Sequence, residues 1–363
     1  MLLSNEFRPD VRVEKEAATL SNAGMEVTVL AWDRRRRLQA EERGDFLVRR
    51  VRAGNAGSNS GFFLNLPRFY LGLLGSARRA RPEIVHAHDL DTLLPAVLIS
   101  KLMGARLVYD AHEHYAEMVK GDVPTVVSRL LDRLERALVP NAELIIAANE
   151  RIARYLRDWY QGIMVVVMNC IDAPPSLPEP ATHGRKELAI FHGGSLEPLR
   201  YIEELMEAVE RDPRLRFVVA GRGRLVDMVR EASLRCSRIE FLGYVDKDKV
   251  YELTRTADAV TVLMDPMNKN NQIGTPNRLY EAMALGVPVL ASKGTLAGEI
   301  VEKEGCGIAI AWSPKEFEAA IELLLDEEKR NKMAASGKQA ASREYNWSSM
   351  RGRLLASYQH LGA

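Results

Sequence analysis

The feature that most restricts this chain is a change of hydrophobic period that recurs through its second half. Short apolar runs at Leu188–His192, Arg216–Ala220, Ile239–Leu242, Ala259–Leu263, Val287–Ala291 and Gly307–Ile310 alternate with amphipathic segments of helical length. Parallel strands need a crossover of a dozen or more residues between them, so this alternation points to a parallel sheet with helices on both faces. The first half repeats the scheme. A strand stub at Met1–Ser4 and a helix over Val11–Asn22 lead to strands at Glu26–Trp32, Phe46–Val51, Ile84–His88, Arg106–His112, Leu144–Ala147 and Met164–Met168. Asp89 is placed to cap a helix running to Met103, and Thr125–Leu138 is a further helix. Phe62–Leu74 reads as a buried helix in preference to one whose face meets a membrane.

At 363 residues the chain exceeds one ordinary core. The stretch Ala173-Pro-Pro-Ser-Leu-Pro-Glu-Pro180 is its clearest change of composition, which predicts domains over 1–170 and 171–346. A closing amphipathic helix over 347–361 is free to pack back on the first domain. Fifty basic and 49 acidic residues leave a formal charge of +1, so no global field argues for nucleic acid. Cys170, Cys236 and Cys306 are odd in number and far apart, which disfavours a disulfide framework and a zinc cluster and suits a reducing cytoplasm. With no apolar run of about 18 residues, neither a membrane span nor a signal peptide is expected.

Chemistry-bearing residues gather after the strands. Gly274 and Thr275 precede Pro276 at a helix start, where backbone amides can receive phosphate, and Gly286 ends that helix. Asn277, Arg278 and Glu281 put polar groups on a helix otherwise made of Leu, Tyr, Ala and Met. Gly193, Gly194 and Ser195 are expected just after a strand, with Arg200 entering the next helix, an arrangement fit for an anion. From these residues alone, a glycine turn beside a solvated arginine reads equally well. Gly221-Arg222-Gly223 repeats the arrangement more weakly, and Gly243-Tyr244-Val245 could present an aromatic face to a base. His86, His88, Asp110, His112 and Glu113 fall at strand ends, where ligands of doubly wound sheets bind. His86 and His88 are expected on opposite faces of their strand, and no metal site is assigned to them. The run Arg34–Arg37 reads as a solvated face that could also meet an anionic acceptor or lipid headgroups.

In order along the chain, Pro9-Asp-Val-Arg-Val-Glu-Lys-Glu-Ala17, Val27-Thr-Val-Leu-Ala-Trp-Asp33, Val85-His-Ala-His-Asp89, Asp110-Ala-His-Glu113, Asn169-Cys-Ile-Asp172, Phe241-Leu-Gly-Tyr-Val245, Ala257-Asp258 and Pro276 through Pro288 resemble the family 4-like GT-B glycosyltransferases. The resemblance covers almost the whole chain. It implies two Rossmann-like domains facing across a cleft and a soluble enzyme that moves a sugar from a nucleotide-diphosphate donor with retention, without metal or other cofactor. By the same resemblance, Arg200 meets the diphosphate, Glu281 the ribose, Tyr244 and Val245 the base, and His112 the transferred sugar. Gly193, Gly194, Ser195, Gly221, Arg222, Gly274, Thr275, Asn277 and Arg278 complete the donor side. Pro9, Asp10, Arg12 and His88 fall on the acceptor side. The acceptor is a glycan, a lipid-linked sugar or a small molecule, and the expected setting is cytoplasmic with room for peripheral contact at the inner membrane face. Two positions depart from the family pattern. Ile273 stands where Glu-x7-Glu has its first carboxylate, and Ser195 stands where many members carry a basic residue. Rival readings are a nucleotide-sugar 2-epimerase of the same fold and a non-catalytic nucleotide-sugar-binding scaffold.

Overall fold

Each parallel strand pair in this protein is joined through helical or long connections, and the sheets that result carry their open crevices where the strand order reverses. The computed structural model describes residues 1–7, 10–34, 41–54, 59–173 and 187–362. Pro9, Arg35, Arg36, Arg37 and all but the first residue of the Pro-rich stretch lie outside these. Clustering of contacts divides the chain into Met1–Met168 with Met350–Ala363, and Asn169–Ser349.

The first unit contains β1 (Leu2–Leu3), α1 (Val11–Asn22), β2 (Thr28–Trp32), β3 (Glu41–Arg43), β4 (Phe46–Val51), α2 (Asn59–Ala80) and β5 (Ile84–His88). It continues with α3 (Leu90–Met103), β6 (Arg106–Ala111), α4 (Tyr115–Met118), α5 (Thr125–Leu138), β7 (Leu144–Ala147), α6 (Glu150–Arg157) and β8 (Ile163–Val166). Its eight strands run in the order β3-β4-β2-β1-β5-β6-β7-β8, parallel except for the edge hairpin strand β3. The order reverses between β1 and β5, so a crevice opens beyond the carboxyl ends of those two strands. That places Asn5, Asp89 and the neighbouring end of β6 at one locus.

The second unit contains β9 (Leu188–Ser195), α7 (Ile202–Arg211), β10 (Leu215–Arg222), α8 (Val226–Arg235), β11 (Ile239–Phe241), α9 (Lys247–Thr256) and β12 (Ala259–Val262). Then come α10 (Lys269–Ile273), α11 (Asn277–Leu285), β13 (Val289–Ser292), α12 (Leu296–Glu304), β14 (Gly307–Ile310), α13 (Pro314–Leu325) and α14 (Glu327–Arg343). The last helix, α15 (Trp347–His360), begins in this unit, and its residues from Met350 onward group with the first. All six strands are parallel in the order β11-β10-β9-β12-β13-β14. The reversal lies between β9 and β12. Ile190, Phe217, Val219, Leu205 and Leu290 fill the core beneath it.

Four expectations need correction. His86 and His88 share a face, because residues two apart on a strand point the same way; their rings stack with centroids 4.3 Å apart. Gly193, Gly194 and Ser195 continue β9 instead of following it, paired with Ala220, Gly221 and Arg222 of an equally long β10. Asp89 precedes α3 without a side-chain cap, because its carboxylate accepts the His112 backbone N–H at 3.0 Å. The helix expected over Phe62–Leu74 forms and extends to Asn59 and Ala80, but it is not buried: Phe69 and Leu73 face the interior while Phe63, Leu64 and Leu71 are exposed.

The β9–β10 pair is close enough that glycine is required. A Cβ on Gly221, whose φ is +155°, would collide with the Gly194 carbonyl oxygen. We therefore expect Gly221→Ala to destabilise the chain by about 2–3 kcal/mol, combining overlap with a strained φ. Urea unfolding checks this, and an unchanged midpoint would refute the packing argument.

Candidate functional site

In the first unit one carboxylate collects three partners from three elements. Asp110, at the end of β6, is fully buried. Arg12 on α1 binds it with Nε at 2.9 Å and Nη2 at 2.5 Å while donating Nη1 to the Val167 carbonyl at 2.7 Å. His88 Nδ1 lies 3.1 Å from Asp110 Oδ2 and His112 Nε2 lies 2.8 Å from it. Burial works against a charged Asp110, but Arg12 and His112 outweigh it and hold its carboxyl well below the usual range.

His112 has carboxylates at both ring nitrogens, Asp110 at Nε2 and Asp89 at Nδ1, the latter 3.3 Å away. Burial pulls its pKa down, while Asp89 and Asp110 pull harder and raise it to about 10. The ring is thus a fixed imidazolium near neutral pH, poor as a base and suited to stabilising negative charge. Asp89 holds this geometry from an unfavourable backbone, φ 60° and ψ 170°, a region that a side chain makes costly. Burial, against the opposing His112 charge, pushes the Asp89 carboxyl up to about 7.

The resemblance puts Arg12 and His88 on the acceptor side; at 5% and 1% exposure they are interior and support Asp110. Asp10 accepts the Val13 amide and the Asn5 side chain, serving as the cap of α1. Pro9 lies outside the described residues. Glu16, His86, His88 and Asp110 offer donor atoms within 4.8 Å of one another, a spacing that a cation could bridge. Arg12 already sits on both carboxylates, 3.2 Å from Glu16 Oε1. Burial, then the Asp110 charge, raises the Glu16 pKa, which favours a proton there. Tyr358 on α15 meets His86 Nδ1 at 2.7 Å.

In the second unit the balance is reversed around one buried cation whose guanidinium is only partly satisfied by the described residues. Arg278, on the first turn of α11, is 8% exposed, and its Nε and Nη2 have no hydrogen-bond partner among the described residues. Burial lowers its pKa to about 9, and the Arg200 charge adds to this against Glu281 on the same helix. Its Nη1 lies 3.2 Å from where a Cβ on Gly194 would stand, so the glycine leaves the guanidinium room at the end of β9. His192 beneath it is kept neutral by burial and by Arg278, and bonds Thr261 at 2.9 Å.

Arg200 sits between two residues forced into left-handed backbone, Leu199 at φ 65° and Tyr201 at φ 61°. Tyr201 is held there by its ring, buried against Trp312 and Phe317, and the Leu199 carbonyl accepts the Asp265 amide at 3.0 Å. Strain around a presented cation marks a functional loop.

Beside them, the Arg222 guanidinium stacks 3.9 Å above the exposed Tyr244 ring, with Gly243 at φ 67° turning the chain into Val245. Asn277 accepts from Asn169 at 2.8 Å. One expectation fails: the Gly274 amide is engaged with the Asn270 carbonyl at 2.9 Å, closing α10, so it is not offered to an anion. Thr275 and Pro276 lead from there into α11. Sequence reading missed Tyr251 on α9, buried with a hydroxyl that has no partner among the described residues and close enough to Glu281 to feel its charge. No signal in the sequence marked it, because Glu281 is distant along the chain.

Comparison with known proteins fits both halves. Residues 9–170 match a glycosyl transferase 4-like domain and residues 177–340 match glycosyl transferases group 1. A glycogen synthase of Mycobacterium tuberculosis is 27% identical over 296 residues, 76% of this chain and 68% of that one. Among solved structures, sucrose-phosphate synthase of Thermosynechococcus elongatus superposes with a TM-score of 0.81 at 18% identity, covering 99% of this chain and 98% of that one. HepE of Anabaena, solved with UDP-glucose, has a TM-score of 0.73 at 15% identity, with 99% and 98% covered. With both halves matched in order and the GT-B fold shared, the chain belongs to the group 1 glycosyltransferases.

Proposed function

We propose that this glycosyltransferase takes its sugar from a nucleoside-diphosphate donor, passes it to a hydroxyl acceptor with retention of configuration, and does so without metal. The observation that carries the reading is Arg278: a buried guanidinium whose Nε and Nη2 have no partner among the described residues, destabilised further by the Arg200 charge, gains from an anion placed opposite it. A diphosphate supplies that anion, and the UDP-glucose held by the HepE relative is a ligand of this class. Arg278 and Arg200 take the two phosphates, Ser195 donates a hydrogen bond, and Gly193 and Gly194 leave space for the approach. Glu281 accepts the ribose hydroxyls, and the base lies by Val245 on the platform of Arg222 and Tyr244. These cations carry the neutralising work given elsewhere to a metal.

In the transfer, the bond from the sugar's anomeric carbon to the phosphate oxygen breaks and the electron pair stays on the diphosphate. Arg278 and Arg200 stabilise that charge more as it develops, which is where catalysis gains. The acceptor oxygen bonds the anomeric carbon on the same face, and its proton passes to the departing phosphate oxygen. His112 contributes a fixed positive charge toward the sugar, held by Asp89 and Asp110. Ile273 leaves the sugar hydroxyls without one carboxylate, an observation that favours a binder without turnover as the second reading.

A cognate donor at about 100 times its dissociation constant should stabilise the chain by about 2.7 kcal/mol. Arg278→Met should abolish that shift while raising the stability of the free protein by about 1–4 kcal/mol, since it removes an unpaired buried charge. A thermal-shift panel of nucleotide sugars checks both, and a destabilised variant that still binds donor would sink the assignment. A panel that shifts without any product in a radiolabelled transfer assay would select the binder.

A further outcome concerns pH. His112 and Asp89 both have folded pKa values above their ordinary 6.5 and 3.8. Each binds its proton more tightly in the native chain, so its contribution to stability falls as pH rises from the ordinary value to the folded one. Across pH 4 to 7 for Asp89 and 6.5 to 10 for His112, stability declines. The difference between the parent and Asp89→Asn, followed by urea titration at stepped pH, should therefore slope through this range; a flat difference counts against the paired carboxylates.

A further inference from the structure

We infer that the outer face of α2, α3 and α5 is a docking surface for a bilayer bearing anionic lipid. The connections β4 to β5, β5 to β6 and β6 to β7 all step the same way across the sheet, so right-handed crossovers put these three helices on one side. They lie next to each other, α2 against α3 and α3 against α5. Each bares an apolar stripe away from the sheet: Leu64 and Leu71, Leu98 and Leu102, Val126 and Leu130. Exposures of 77% for Leu64, 73% for Leu102 and 75% for Val126 mean these are whole side chains in solvent. Nearly half of the large exposed apolar residues among the described ones lie on these three helices.

The charges on this face are of one sign. Arg68, Lys101, Arg129 and Arg133 are exposed among the leucines, and α2 has no acidic residue. The acids of the other two helices are turned to internal partners: Asp91 to Ser4 and Tyr115, Asp132 to Arg136 and Tyr155, and buried Glu135 to Tyr109 and Tyr155. A chain of formal charge +1 thus carries a local cationic excess here. Apolar tips flanked by cations fit an interface where the tips enter the acyl boundary and the cations meet acidic headgroups. A second copy would bring the same positive face to itself in a symmetric dimer, and like charges oppose that. No described helix is long and apolar enough to cross a membrane, so the contact is peripheral.

The test is flotation of the full chain with phosphatidylcholine vesicles, with and without phosphatidylglycerol. Binding should require phosphatidylglycerol and weaken with salt. Leu64→Glu with Leu71→Glu, and separately Arg129→Glu with Arg133→Glu, should each lower vesicle affinity by about tenfold or more. Leu234→Glu, an 83% exposed apolar position on α8 of the other unit, should leave it unchanged. Equal binding to both vesicles, no binding, or binding indifferent to the variants would overturn the inference. So would a dimer that Leu64→Glu dissociates, which would assign the face to a second copy. The donor-induced thermal shift should persist in every variant, so the surface and the donor site fail or stand separately.

Discussion

The first unit depends on one buried ion, the carboxylate of Asp110. Arg12 reaches it from α1, His88 from β5 and His112 from the end of its own strand, so three elements at the reversal of the sheet are tied through two oxygens. Without its partners such a charge would cost several kcal/mol to bury, and removing it would strand an arginine in the interior. The dependence explains why Arg12 and His88 are interior although they belong to the recognisable motifs. Their service is to His112, which keeps its proton because both of its nitrogens face carboxylates.

The second unit solves the opposite problem. Its buried cation, Arg278, has two guanidinium nitrogens without a hydrogen-bond partner among the described residues, and the backbone on each side of Arg200 is held in a left-handed conformation by packing at Tyr201 and a hydrogen bond at Leu199. Free protein therefore carries both electrostatic and conformational strain at the end of β9. An anion that enters relieves the first, so part of its binding energy comes from the cost of the empty site. Asp89 is the counterpart in the first unit. In each unit the non-glycine residues with positive φ include those beside the proposed chemistry.

The succession of strands along the chain and most helix bounds were legible in the residues because hydrophobic period reports burial directly; the order of strands within each sheet was not. The helix Val11–Asn22 and the strand Gly307–Ile310 stand where the period puts them. Other features were hidden for identifiable reasons. Glu41–Arg43 pairs as an edge strand although its residues are poor strand formers, since only β4 beside it supplies the ladder. Gly194 and Gly221 looked like punctuation, but the lack of a side chain at Gly221 lets the two strands approach and at Gly194 leaves room for a guanidinium. The Gly274 amide seemed open until the short helix α10 used it. Nothing in one dimension reveals that Asp110 neighbours α1, because that contact joins residues 98 apart.

Balanced composition concealed a further division among the cations. Arg12 is neutralised within the fold, Arg278 is buried with two nitrogens unpartnered among the described residues, and Arg68, Lys101, Arg129 and Arg133 lie in solvent beside leucines. These classes respond differently to salt, because screening with a Debye length of about 8 Å at physiological ionic strength acts on exposed charges and little on buried ones. Raising ionic strength should thus release an association made through the helical face while leaving a diphosphate on Arg278 largely held. A net charge of +1 is the sum of these populations and describes none of them.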